Sequence, residues 1–250
     1  MKRIVAATVL LLATLPARAD DLADLTGRFG LTVITQGLSQ RIVPQVARPD
    51  RPVTMQDLSE LDRLACLRAM NQALSVYPPS LVRALVQTVA LAGQITAWNI
   101  EGGGFQAPGL IALNCDDVRS GAQPAIDSVH NSFAALLLRR TPPDWAVWQA
   151  LDPPGFRYGD RSTYLAELQD PAASQSSNAL NRAGFATTMG LAGRENDFEG
   201  FAERAFGHPS ELAADSKGNP RMRDKLRLLV GTYLSMAPDM KTYFVSNGLY

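Results

Sequence analysis

The residues whose types and spacing could do chemistry stand near the middle of the chain, where residues 128–140 read SVHNSFAALLLRR. A helix that binds catalytic zinc carries two histidines four residues apart, because this spacing turns both imidazoles toward one metal. A glutamate after the first histidine activates the bound water. Here Asn131 and Ser132 follow His130, and Ala134 stands where the second histidine belongs. A frame that starts at Asn131 contains none of the three groups, so neither frame predicts ordinary zinc hydrolysis.

Helical spacing places His130 at the edge of an apolar stripe. At about 100° per residue, one side of this helix carries Ile126, Val129, Phe133, Leu136 and Leu137. The position favours a buried histidine that bonds a carboxylate or a carbonyl. The alternative is weak metal ligation by His130 together with Glu195, Glu199 and, as a further acid, Asp127. The only other histidine in the sequence, His208, is predicted to be a solvated loop residue.

Hydrophobic periodicity and the positions of glycine and proline predict the helices and strands that position these residues. In the first half of the chain we expect a strand at 31–35, a helix that opens at Thr54–Asp57 and runs to about Leu74, a helix from Ser80 to about Val89, and antiparallel strands on either side of Gly102–Gly104. In the second half we expect the central helix from Gln123, a short helix within 141–156, a polar loop at 170–178, and helices at 195–206 and 221–236. Helices, a small antiparallel sheet and further helices predict an α+β domain. The glycine stretch lacks the lysine of a phosphate loop, so it is interpreted as a hairpin connection or a flexible cleft edge.

The N-terminal residues are typical of a secretory signal peptide. Lys2 and Arg3 precede an apolar run from Ile4 to Leu15, and a small-residue cleavage site precedes Asp20. We therefore expect residues 1–19 to be removed and residues 20–250 to form a single periplasmic or secreted domain. No later segment approaches the roughly 20 apolar residues that a membrane span needs.

The net charge limits the classes of binding partner to expect, and the two cysteines predict a disulfide. Residues 20–250 contain 21 Lys and Arg against 24 Asp and Glu, a net charge near −3, which gives no reason to expect nucleic acid or anionic lipid as a partner. In an oxidising compartment the natural pairing of the two cysteines is a disulfide between Cys66 and Cys115. The alternative is a pair of buried free thiols.

Three segments in order resemble a group of secreted zinc metallopeptidase-like proteins with a gluzincin-like layout. They are the strand segment that ends GLIALNCDD, the helix SVHNSFAALLLRR, and ENDFEGFAERAFGHPSEL continuing into the C-terminal helix. The active-site helix of such proteins reads close to HHEF, and a second helix supplies an acidic zinc ligand. By this resemblance His130 corresponds to one histidine, Asn131 to the other and Ser132 to the glutamate.

The resemblance also implies that Glu195 or Glu199 corresponds to the acidic ligand, with Asp197 and Glu203 on the same segment. The departures fall on the residues that carry the chemistry, while the apolar frame is kept. The sequence therefore favours a metallopeptidase-like scaffold without peptidase activity, a binding or accessory module whose cleft, near Asp127, Asn131 and Ser132, holds a peptide or protein ligand. No cofactor is required by this hypothesis, although zinc is the cofactor to test.

Two other hypotheses stay open. One is a zinc-dependent hydrolase with an unconventional site built from His130, Glu195 and Glu199, in which a carboxylate of the second helix acts as the base. The other is a structural protein of the cell envelope that shares only the fold of the metallopeptidases, because fold alone does not fix function.

Overall fold

The computed structural model describes residues 20–170 and 175–250. The predicted signal peptide at 1–19 and part of the predicted polar loop, residues 171–174, lie outside the described residues. The described chain is an α+β structure in which a small sheet is followed by helices, so the predicted fold class is confirmed. None of its described helices is long and apolar enough to cross a membrane.

The strands form one mixed sheet. Their bounds are β1 Thr32–Ile34, β2 Val53–Asp57, β3 Val86–Ala97, β4 Ile100–Glu101, β5 Gly104–Ala107 and β6 Gly109–Asn114. The order is β1-β3-β6-β5, with β2 and β4 also paired to β3. β3 is parallel to both β1 and β6, whereas β2, β4 and β5 make antiparallel pairs. The wholly antiparallel sheet expected from the sequence is therefore corrected to a mixed one.

Two tight turns explain why β6 runs parallel to β3. The turn between β3 and β4 has positive φ at Trp98 and Asn99, as a two-residue hairpin of the primed type requires. The turn between β5 and β6 is Pro108–Gly109, with φ +73° at Gly109, which fits a type II turn with proline first and glycine second. Because the chain reverses twice, the strand after the glycine stretch regains the direction of β3.

Helices make up most of the remaining chain. Their bounds are α1 Asp20–Ala23, α2 Leu38–Arg41, α3 Val43–Val46, α4 Glu60–Leu74, α5 Pro79–Leu85, α6 Gln123–Arg140, α7 Trp145–Ala150, α8 Arg161–Leu168, α9 Asn178–Ala183, α10 Arg194–Gly207, α11 Pro209–Lys217, α12 Pro220–Met236 and α13 Lys241–Ser246. A π-helical turn at Asp24–Arg28 and 3₁₀ turns at Met189–Leu191 and Pro238–Met240 complete them.

Two predicted helix boundaries are wrong. Thr54–Asp57 is not the start of a helix but part of strand β2, and the following helix α4 is capped by Ser59, whose hydroxyl accepts a hydrogen bond from the backbone N–H of Asp62. The helix expected from Ser80 to Val89 ends at Leu85, where the chain passes directly into β3. In both places pairing with a distant strand decides the conformation, which local pattern does not reveal.

The sheet separates two apolar cores. Alternate residues of β6 point to opposite faces: Ile111 and Leu113 face the larger core with α4, α6, α10 and α12, and Leu110 and Ala112 face a smaller core with α2, α3 and β2. The central helix α6 lies against β5 and β6 on the larger side and also packs on α4 and α10. The sheet and these helices thus fix both the depth and the rotation of α6.

The predicted disulfide is present and lies in the larger core. Cys66 of α4 and Cys115, which directly follows β6, are bonded with their Cα atoms 5.7 Å apart, and both are fully buried. The bond links the helix that packs on α6 to the end of the strand that precedes it. It closes a loop with a sequence separation of 49 residues.

Removing this bond should destabilise the protein markedly. For the double variant Cys66→Ala/Cys115→Ala, and equally for the reduced wild type, we expect a loss of about 4 kcal/mol in the free energy of unfolding, because the bond restricts the unfolded chain. Urea denaturation with and without reductant measures this loss. Oxidised and reduced wild type that unfold at the same urea concentration would contradict the expectation, and the double variant, which has no thiols, is the control that must not respond to reductant.

Candidate functional site

A polar seam runs between α6 and α10, which cross in antiparallel fashion. Near one end His208 Nε2 lies 3.0 Å from Asp127 Oδ2, and one turn further Asn131 Nδ2 donates to Glu203 Oε2 at 3.3 Å. Arg139, further along α6, acts electrostatically on Glu199. We define the seam by two rows of residues at four-residue helical spacing. They are Asp127, Asn131, Ala135 and Arg139 on α6, and Glu195, Glu199, Glu203 and the adjoining His208 on α10.

Small residues allow the two helices to approach closely. A side chain at Gly207, the last residue of α10, would collide with the carboxylate of Asp127 on α6. Ala135, opposite Glu199 in the antiparallel register, leaves room for the longer acidic side chain. The small residues Gly207 and Ala135 are therefore as important to the seam as its charged side chains.

The seam is acidic and only partly neutralised. Burial, reinforced by Glu195, raises the pKa of Glu199 to about 8 even though Arg139 opposes the shift. Burial and the neighbouring Asp127 raise the pKa of Glu203 to about 8, against the hydrogen bond that it accepts from Asn131. Both carboxyl groups thus hold protons near neutral pH, in contrast to ordinary surface glutamates. A protonated carboxyl group can donate a hydrogen bond as well as accept one.

His130 does not face the seam. It is 1% exposed, and its Nδ1 lies 2.9 Å from the hydroxyl of Tyr77. Burial holds the pKa of Tyr77 well above 10, so the phenol keeps its proton while it shares this hydrogen bond with Nδ1. Phe206 packs against the imidazole with ring centroids 5.6 Å apart. Burial first, and then His208, lower the pKa of His130 to about 3, so the imidazole is a neutral part of an aromatic core.

The other predicted site residues are dispersed. Glu195 is exposed and pairs with Arg194 at 3.0 Å, while Glu199 is half-buried in the seam. Ser132 is buried on the side of α6 that faces β5. Over residues 20–170 and 175–250, no three His, Cys, Asp or Glu side chains form a group that could hold a metal ion. His130, Glu195 and Glu199 are thus not brought together.

Two residues have contacts that the sequence did not predict. His208 was expected to be a solvated loop residue; it does stand in the bend between α10 and α11, but there it contacts Asp127, with about a third of its side chain exposed. Glu203, named only as a neighbour of the predicted ligands, is the acid that contacts Asn131. Its position four residues beyond Glu199, and eight beyond Glu195, was the signal that could have identified it.

A second polar cluster lies deeper in the core and was not predicted at all. The ammonium group of Lys225 on α12 is fully buried, 2.6 Å from Asp152 Oδ1 and 2.7 Å from Asp197 Oδ2. Tyr158 and Trp148 each donate to the same oxygen of Asp197 at 2.8 Å. Burial raises the pKa of Asp197 to about 6, while Lys225 and these donors oppose the shift. The cluster connects the loop that follows α7 with helices α10 and α12.

The sequence did contain a signal for this cluster. Lys225 occupies a position between Met222 and Leu229 in the apolar stripe of α12. A lysine inside such a stripe is buried only when an acid pairs with it. The acids themselves, however, lie 28 and 73 residues away in sequence, so they could not be named.

No protein-family model, no curated protein and no solved structure matches this chain.

The raised pKa values predict that stability falls as pH rises. The unfolded glutamates lose their protons near pH 4.5, but the folded Glu199 and Glu203 retain theirs to about pH 8, so the folded state binds more protons in this window. We expect the free energy of unfolding to fall by at least about 2 kcal/mol between about pH 5 and about pH 8.5. Urea denaturation across this range measures it.

Variants assign this pH dependence to the seam. Glu199→Gln/Glu203→Gln should flatten the curve, whereas the exposed pair Glu60→Gln/Glu101→Gln should leave it as in the wild type. A wild-type stability that instead rises over this range would contradict the assignment.

Breaking the buried Lys225 cluster should be costly. Lys225→Met removes the cation and leaves Asp152 and Asp197 buried without it, so we expect a loss of about 3–5 kcal/mol in the free energy of unfolding. The exposed Lys241→Met should change stability by less than about 0.5 kcal/mol. Thermal and urea denaturation of both variants measure the difference, and equal effects at the two lysines would refute the role given to the cluster.

Proposed function

We propose that this protein is a secreted or periplasmic binding or accessory module without peptidase activity, and that it holds an extended peptide or protein segment between β5 and the α6–α10 seam. One observation carries the proposal. The helix that resembles a zinc-binding helix turns its single histidine, His130, into an aromatic core, and it presents Asn131 and Ala135 to the seam.

The geometry speaks against the hydrolase alternative. A zinc hydrolase needs three protein ligands that converge on one metal with an open fourth position. His130 contacts Tyr77 and Phe206, whereas Glu195 is exposed beside Arg194. Ser132, at the position that the resemblance gives to the catalytic glutamate, carries no carboxylate and is 4% exposed. The unconventional site considered from the sequence therefore gains no support.

The edge of the sheet supports binding of an extended segment. β5 ends the strand order, so one of its sides has no partner strand. The backbone N–H of Asn114 donates to Gly103 O, and the alternation of an antiparallel pair then directs the N–H and C=O groups of Gly104 and Gln106 away from β6. Such unpaired backbone groups are the template for addition of a peptide strand.

β5 and the helices around it line a common space. Gly104 and Gln106 of β5, Arg139 at the end of α6 and Tyr164 of α8 line a cavity of about 110 Å³. Glu199 of the seam acts electrostatically on Tyr164, so the cavity adjoins the acidic seam. A peptide on β5 would therefore have its backbone paired with the strand and its side chains near a cation, a phenol and protonated carboxyl groups. The glycine at 104 lets β5 pack closely on α6, because a side chain there would collide with Ser128.

The proposal is tested by peptide selection. We expect a random-peptide display library to yield ligands for the chain from Asp20 onward, and we expect hydrogen exchange at Gly104 and Gln106 to slow when a selected peptide binds. In the variant Gln106→Pro, which lacks the outward N–H, affinity should fall at least roughly tenfold, the value of one or two backbone hydrogen bonds. Circular dichroism confirms that the variant is folded.

Hydrolysis is measured on the same peptides and on labelled casein with zinc added. The expected result is binding without cleavage. Steady zinc-dependent cleavage that disappears in His130→Ala would overturn the proposal, and so would selected peptides whose affinity does not change in Gln106→Pro.

A further inference from the structure

A second groove lies on a different face, between α11, α12 and residues 248–250. Its volume is about 490 Å³. Its floor is apolar, since Leu226 and Leu249 line it and are 4% and 3% exposed. Its rim is cationic, with Lys217, Arg223 and Arg227. A groove of this size is in the range of ligand sites, which run from about 300 to 1,000 Å³.

The rim has an excess of positive charge. Arg223 and Arg227 stand one helical turn apart on α12, and Lys217 lies across the groove on α11. Asp224 forms ion pairs with both arginines: its Oδ1 lies 2.8 Å from Arg227 and 3.9 Å from Arg223. Lys217 makes no ion pair within the described chain. Three cations against one acid form a positive patch on a domain whose net charge is near −3.

From this charge complementarity we propose that the groove binds an acidic peptide segment that carries an apolar side chain. The Cβ atoms of Arg223 and Arg227 are about 6 Å apart, as for any helical pair at this spacing. Alternate residues of an extended chain are about 6.6 Å apart, so two carboxylates at such positions match the two guanidinium groups. Arginine favours this partner because its planar fork binds carboxylates through two hydrogen bonds.

Other features of the groove suit a peptide better than a single anionic head group. The cations are spread along and across the rim and do not converge on one point. Tyr250, which is 67% exposed and has the Lys241 ammonium 5.1 Å from its ring centroid, extends the apolar floor to the surface.

This inference does not rest on the function proposed for the α6–α10 seam. The groove shares no residue with β5, α6, α8 or α10, so either site can exist without the other.

Fluorescence anisotropy with a labelled peptide of alternating glutamate and leucine tests the inference. We expect saturable binding to the wild type that weakens with added salt. Binding of the same peptide with glutamine in place of glutamate should be lost. In Arg223→Gln/Arg227→Gln, whose side chains are 47% and 68% exposed, Kd should rise roughly tenfold, and circular dichroism checks that the variant is folded.

The matched control is Arg41→Gln/Arg182→Gln, which makes the same charge change at exposed arginines outside the groove, and its Kd should equal that of the wild type. If both double variants lost affinity, binding would depend only on the overall charge of the protein, and the inference would be overturned. A second experiment measures co-sedimentation of the protein with vesicles of phosphatidylglycerol and phosphatidylcholine. Binding to these vesicles that needs Arg223 and Arg227, without binding of the peptide, would replace the acidic peptide with an anionic membrane surface.

Discussion

The close antiparallel packing of α6 against α10 is the constraint on which the rest of the structure depends. α6 is buried on nearly all sides, by β5 and β6, by α4 and by α10, so its rotation is fixed. That rotation sends His130 toward Tyr77 and Phe206, and it sends Asn131 toward Glu203. Adjacent residues on a helix point about 100° apart, so a histidine and its neighbour cannot both serve the same face. The identity of residue 131 therefore decides what the seam can do.

Where the sequence predicted the fold correctly, local and tertiary preferences agree. The central helix was predicted from Gln123 onward because an apolar stripe at helical spacing follows, and α6 begins at Gln123. The stripe also predicted the burial of His130. The disulfide followed from the number of cysteines and from the compartment implied by the N-terminal segment, without any knowledge of geometry. The predicted secretion itself stays a prediction, as does the metallopeptidase-like identity of the scaffold.

Where the prediction failed, distant parts of the chain override local pattern. Thr54–Asp57 has the spacing of a helix cap, but β3 pairs with this segment and the carboxylate of Asp57 accepts the N–H groups of Gly37 and Leu38. The contacts of the seam join residues that are 72 and 81 positions apart, and no periodicity within one helix reveals its partner. Sequence reasoning thus found the helices that carry the candidate site but not the pairs that constitute it.

The two buried polar clusters differ in a way that bears on function. In the deep cluster the Lys225 ammonium pairs with two carboxylates, and Trp148 and Tyr158 also donate to Oδ2 of Asp197, while its Oδ1 has no hydrogen-bond partner within the described chain. A cation thus faces the buried acids, and the cluster links three segments of the chain. In the seam, acids outnumber cations, and the pKa values of Glu199 and Glu203 are raised to about 8. Uncompensated buried acids cost stability, and sites that break the rules of stable packing tend to be functional sites. A carboxyl group with this pKa is largely protonated near neutral pH, so it can donate a hydrogen bond, which an ionised glutamate cannot do.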